Sequence, residues 1–199
     1  MGQHGVMTDR VTPAEIVDAA IGLLALGGLH ALGMRRIASE LGIQQSALYW
    51  HFDNKQQLLA AVADRVLAGV EAPSDDDRSQ RIEGLASRLR AALLRYPDGA
   101  ELVGTTFAFR LGARQPFREL TGELERAGLA RGDAEVAASV VVHFVVGYTT
   151  DEQQHHQAAA LGAIDRASDE HPWPSADDHF TRGLRIIIAG VEAQIESTR

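Results

Sequence analysis

Gln45, Ser46, Tyr49, Trp50 and Lys55 crowd into one short stretch, QQSALYWHFDNKQQLL (44–59), of a chain that is only 6% aromatic. Their chemistry is that of a hand for nucleic acid. A glutamine amide can bond N6 and N7 of adenine at once, and Arg35, a little upstream, can reach O6 and N7 of guanine. The Tyr49 hydroxyl and the Trp50 N–H suit phosphate and sugar contacts, with their rings laid on the backbone or a thymine methyl. Lys55 is the only lysine in the chain. It falls where a helix should begin, so its ammonium and the free backbone N–H groups together favour a phosphate. A core patch is the competing reading: Ala47, Leu48 and Phe52 can face inward, and His51 suits a packing role. Tyr49 and Trp50 are neighbours, however, and on a short helix they cannot both follow Leu48 and Phe52. At least one ring stays outside.

A second cluster, Asp151, Glu152, His155 and His156, invites a metal-site reading. Adjacent histidines point about 100° apart on a helix, so they do not form the i, i+4 pair that binds a metal from one face. The chain has no cysteine. It also lacks a phosphate-binding glycine loop, an HExxH and a G-x-S-x-G motif. The expectation is a protein that is not an enzyme and carries no metal or cofactor. A metal-dependent enzyme built on that cluster and a protein-interaction adaptor are the weaker alternatives.

The elements that would position the first cluster are legible. VTPAEIVDAAIGLLALGG (11–28) predicts a helix: Thr12 as N-cap, Pro13 at the first position, Glu15 completing a capping box, and Gly27-Gly28 as the stop. MRRIASELG (34–42) predicts a second helix, and QSALYWHF (45–52) a third. Two short helices joined by a turn containing Gly make a helix-turn-helix, whose second helix enters the major groove. Asp53-Asn54 caps a linking helix over 55–70. A polar, Pro-interrupted stretch at 71–79 is a boundary or loop. Helices are expected over 81–96, 116–128, 133–156 and 176–197, with 100–115 undecided and a loop over roughly 157–175. No segment alternates at period two, so the fold class is all-α.

In 133–156 apolar residues nearly encircle the axis, which predicts burial on more than one side. In 176–197, Leu184, Ile188, Val191 and Ile195 form a seam widened by Ile186 and Ile187. Docking of these two helices on a symmetry mate, as a four-helix bundle, would cover both; packing inside one protomer is the alternative.

Net charge is −8 over 199 residues, which taken whole argues against a nucleic-acid partner. Residues 1–65 are nearly balanced, with Arg10, Arg35, Arg36, Lys55 and Arg65 against Asp9, Glu15, Asp18, Glu40, Asp53 and Asp64. The acidity belongs mostly to the rest, which leaves the N-terminal segment free to present a basic face. The N-terminus lacks the pattern of a secretory signal. The most apolar run, VAASVVVHFVVGY (136–148), is shorter than the ~20 residues a spanning helix needs. A cytoplasmic protein with no membrane partner is expected.

On these residues the chain resembles the TetR family of bacterial transcriptional regulators. The match runs through TPAEIVDAAIGLLALGGLHALGMRRIASELGIQQSALYWHFDNKQQLL (12–59), with LYWHFDNK its most characteristic part. RAALLRYPDGAELVGT (90–105), VVHFVVGYTTDEQQHHQ (141–157) and LRIIIAGVEAQIE (184–196) extend it to the tetracycline-repressor branch. The resemblance implies a helix-turn-helix DNA-binding domain at 1–56, and an effector-binding and dimerisation domain at 57–199. It implies a homodimeric repressor that binds a palindromic double-stranded DNA operator and is released by a small-molecule effector. Arg35, Gln45, Ser46, Tyr49, Trp50 and Lys55 match the family's DNA-contacting positions. One departure matters. Tetracycline-binding members hold the drug's magnesium partly through a histidine shortly after the DGA turn, where this chain has Val103. The assisting carboxylate is present, as Asp151 or Glu152. Magnesium–tetracycline therefore does not carry over as effector. An apolar or aromatic molecule fits better, in a pocket drawn from Leu89, Thr106, Phe107, Phe109, Phe117, His143, Phe144 and Tyr148.

Overall fold

The computed structural model describes residues 11–75, 77–164 and 176–197, and every regular element among them is helical. The first begins where its cap dictates. In α1 (Pro13–Gly27) the Thr12 hydroxyl accepts from the Glu15 backbone N–H, and the Glu15 carboxylate accepts from the Thr12 N–H at 2.7 Å. That backbone hydrogen bond holds the Glu15 pKa below the ordinary carboxylate range. The helix ends at Gly28, whose φ of 67° favours glycine. A side chain there would also collide with the Asp98 carboxylate.

After a single 3₁₀ turn at Leu29–Ala31 come α2 (Met34–Glu40), α3 (Gln45–Leu48) and α4 (Lys55–Val66). Ile16, Leu24, Leu32, Ile37, Leu48, Leu58 and Val62 are sealed from solvent and form the centre of this head. Each such side chain contributes roughly 1.5–3 kcal/mol on burial. Two elements are shorter than their periodicity suggests. The third helix was expected to reach Phe52, yet after Leu48 the chain turns through Trp50 N–H to Ala47 O and His51 N–H to Leu48 O bonds, i→i−3 contacts that tighten the coil. The linking helix stops at Val66 rather than 70, because the backbone turns at Leu67 and Gly69 takes φ 81°.

The body comprises α5 (Arg78–Leu94), α6 (Gly99–Ala108), α7 (Gln115–Arg126), α8 (Arg131–Ala160) and α9 (Ala176–Ser197). The undecided stretch 100–115 holds α6 and a loop. The loop expected over 157–175 falls mostly outside the described residues, and α8 runs through its first positions. With 30 residues, α8 spans ~45 Å, and α5, α6, α7 and α9 all pack on it. The protomer buries one α8 stripe, Ala134, Ala138, Val141, Val145, Thr149 and Glu152. Burial on several sides, expected from the encircling apolar pattern, is not achieved within one protomer: Val136 and Val140 are 65% and 47% exposed.

The α9 seam also requires correction. Leu184, Ile188 and Ile195 are buried against the protomer's own α5 and α8, joined there by Phe180. Periodicity locates an apolar face but not the surface that covers it. The face left open on α9 carries Ile186, Ala189, Gly190 and Ala193.

Candidate nucleic-acid interface and ligand groove

α3 is a single turn, and it and the residues after it divide their side chains cleanly. Leu48 is fully buried and Phe52 nearly so, whereas Gln45, Ser46, Tyr49 and Trp50 are exposed. Trp50 is 86% exposed, and Tyr49 47%. An indole left in water is an unrealised source of binding energy, since aromatic side chains bury 150–250 Å² each. His51 is exposed too, contrary to the packing role expected of it. Lys55 opens α4 beside Asn54, which caps the helix by accepting the Gln57 N–H at 2.9 Å. Arg35 stands exposed in the first turn of α2, with Arg36 beside it. All six residues picked out for DNA contact therefore lie on the solvent side of the head. Sequence reasoning passed over Arg36; its only signal was adjacency to Arg35.

The eight residues proposed for an effector pocket divide. Phe107, Phe117 and His143 meet in a groove of about 580 Å³ between the end of α6, the start of α7 and the first half of α8. The Phe107 ring lies 5.8 Å from Phe117 and 5.7 Å, edge-on, from His143. Phe144 and Tyr148 turn instead onto Phe180 of α9, with ring centroids at 5.5 and 5.6 Å. Leu89 is core. The Thr106 hydroxyl is buried and donates to the Leu102 and Val103 carbonyls of its own helix. Phe109 is 57% exposed and does not line the groove. Arg110, Arg114 and Glu135 do. A sequence shows no sign of which arginines will line a groove, so these two were not foreseen.

The magnesium question is decided by neighbours. Val103 is buried and offers no lone pair. Glu152 is buried and gripped by Arg90, whose Nη2 lies 2.9 Å from Glu152 Oε1. Arg90 also reaches Asp177 at 2.7 Å and lies over the Phe180 ring, joining α5, α8 and α9. Burial acts against the guanidinium's charge, but its bonds to Asp177 and Glu152 outweigh that and raise its pKa above the ordinary arginine value. Of the two carboxylate candidates only Asp151 is exposed. No group of three or more His, Asp or Glu among the described residues could hold a metal ion. The residues present do not fit a magnesium chelate.

Among the described residues, hydrogen bonds to Asp98 and Asp64 tie the α1–α4 region to the α5–α9 body. Asp98, in the left-handed region at φ 56°, accepts the Leu29 N–H at 2.9 Å and a bond from the Gln157 amide of α8. Asp64 of α4 accepts the Ala113 N–H of the α6–α7 loop at 2.7 Å. That loop lies close on α4: a Cβ at Gly112 would stand 3.0 Å from the Ala60 carbonyl. No described helix is long and apolar enough to cross a membrane.

Known proteins resemble this chain in sequence and fold. Residues 16–62 match the family model for bacterial regulatory proteins of the tetR family, and residues 68–171 match that for a tetracyclin repressor-like C-terminal domain. The chain is 34% identical to the class A tetracycline repressor from transposon 1721 of Escherichia coli, covering 92% of this chain and 91% of that protein. Mycobacterium smegmatis BioQ superposes with a TM-score of 0.80 at 34% identity, over 92% of this chain and 99% of that one. A BioQ structure with its double-stranded DNA operator gives 0.76 at 34% identity, over 91% and 98%. Streptomyces coelicolor ActR in complex with (S)-DNPA gives 0.71 at 26% identity, over 93% and 98%.

Proposed function

The chain belongs to the TetR family of bacterial regulatory proteins, and from that premise we propose how it works: as a homodimeric repressor that holds a palindromic operator until a small molecule enters its body. The relatives solved with an operator and with a small molecule support this reading. The observation that carries it is α3 with the turn that follows it, which together bury Leu48 while presenting Gln45, Ser46, Tyr49 and a nearly naked Trp50. Residues 1–56 form the reading head in this account, and 57–199 bind effector and partner. Arg35 and Gln45 address base edges; Ser46, Tyr49, Trp50 and Lys55 address the backbone. The protein acts in the cytoplasm as a regulator rather than an enzyme.

The dimer forms through the faces the protomer leaves open, Val140 and Gly147 on α8 with Ile186, Ala189, Gly190 and Ala193 on α9. Small residues there let helices of two copies approach closely. Two heads so fixed present recognition helices to successive major grooves, about 34–36 Å apart. The effector site is the groove against Phe107, Phe117 and His143. Its wall is the α6–α7 loop, which is bonded to α4 through Ala113 and Asp64. A ligand that moves the loop tilts α4 and the head with it. By linkage, operator and effector oppose one another with one coupling energy.

Selection of bound fragments from random duplex DNA by the purified protein tests the reading. Enrichment of an inverted repeat supports it; recovery of unrelated sequences at low salt contradicts it.

A further inference from the structure

Given that the groove is the effector site, we infer that its ligand is an aromatic carboxylic acid, bound as the carboxylate by Arg110 and Arg114. Two features of the groove point there together. The first is a set of rings: Phe107 packs at a tilt of 56° on Phe117 and nearly perpendicular to His143, a lining that receives the face or edge of a planar ring system. A volume of about 580 Å³ suits a molecule of two or three rings, ligand pockets running ~300–1,000 Å³.

The second is uncompensated positive charge. The protein is acidic, with net charge −8, and seven of the fifteen described arginines pair with carboxylates, while Arg35, Arg36, Arg78, Arg88, Arg95 and Arg118 make no ion pair among the described residues. Among the described residues no ion pair involves Arg110 or Arg114, although both line this groove. Arg114 Nε is buried and has no hydrogen-bond partner, while its guanidinium carbon stands 5.8 Å from the Phe117 ring centre. A buried cationic N–H without an acceptor is costly and calls for an explanation. Glu135, the groove's own carboxylate, is occupied by Arg131 at 3.1 Å. An acceptor supplied by a ligand would satisfy Arg114. Arg110 is held at φ 58°, a conformation rare for a residue with a side chain and retained where the surroundings impose it. A planar carboxylate matches the guanidinium fork. With Arg114 already against Phe117, the acid group belongs on or one carbon from the ring.

The experiment is calorimetric titration of the full-length protein with 2-naphthoate and with its neutral counterpart 2-naphthamide. Wild type, Arg110→Gln, Arg114→Gln and the double variant are compared, with helicity checked by circular dichroism. Wild type is expected to bind the acid at least about tenfold more tightly than the amide. The double variant should hold acid and amide within about twofold of one another. Arg110→Gln, which alters an exposed loop side chain, should lose part of the preference even if changes at Arg114 disturb folding. Equal affinity for acid and amide in wild type, binding of neither below about 1 mM, or a preference surviving in Arg110→Gln and the double variant overturns the inference. Operator selection on the same preparation separates the two readings. An inverted repeat recovered without an acid preference removes the ligand class alone; an acid preference without DNA selectivity removes the operator reading alone.

Discussion

The Asp64 carboxylate accepts a 2.7 Å hydrogen bond from the Ala113 backbone N–H, joining the helix that carries the reading head to the loop that walls the groove. Ala113 is itself buried and held at φ 61°. Asp64→Ala should cost about 1–3 kcal/mol of stability, the worth of a hydrogen bond to a charged acceptor. It should also shrink the ratio of operator affinities measured with and without effector. Urea melts and fluorescence anisotropy read the two quantities; an unchanged ratio would show that the signal travels by another route.

Trp50 and Lys55 sit on the exposed side of the head and support no part of its core. Trp50→Ala and Lys55→Ala should each weaken operator binding while light scattering still reports the wild-type assembly. Loss of one phosphate contact at Lys55 should lower the slope of log K against log salt by about 1. Unaltered gel shifts for both variants would remove these residues from the interface.

Two isoleucines two positions apart on α9 should behave in opposite ways. Ile186 is 75% exposed and Ile188 is 5% exposed within the protomer. Ile186→Glu should give a folded monomer. Ile188→Glu should destabilise the protomer itself by more than about 4 kcal/mol, because it buries an unpaired charge. A folded monomer from Ile188→Glu, or a stable dimer from Ile186→Glu, would assign the faces the other way round.

Arg90 makes two ion pairs of unequal weight. Glu152 is buried at its side and Asp177 is 86% exposed. Glu152→Ala should cost about 3–5 kcal/mol, as expected when one partner of a buried pair is removed. Asp177→Asn should cost under about 1 kcal/mol. Comparable losses in thermal melts of the two variants would mean the exposed pair carries as much as the buried one.

Much of this was legible in the residues. The α1 capping box is Thr12 reaching Glu15 in the chain as in the fold, and α9 occupies 176–197 as its pattern requires. The outward set on α3 followed from the impossibility of burying Tyr49 and Trp50 together with Leu48. The illegible parts share one cause: they depend on what lies across space. The 184–188–191–195 spacing is identical whether the seam meets α5 and α8 or a second copy. Phe144 and Tyr148 belong by type to a ligand pocket, yet Phe180, far along the chain, claims them. Arg110 and Ala113 adopt left-handed conformations that only Gly, Asn or Asp would have advertised. That Arg114 makes no ion pair among the described residues is a fact of packing alone.

The central claim is that two heads engage one duplex together. Once an inverted repeat has been selected, five base pairs, half a helical turn, are inserted between its half-sites and affinity is measured by anisotropy at fixed salt. Heads held about 34–36 Å apart cannot reach half-sites rotated to opposite faces of the duplex, so affinity should fall by at least about 100-fold, towards the non-specific level. Equal affinity for the native and lengthened operators would show that each head binds alone, and would contradict the account.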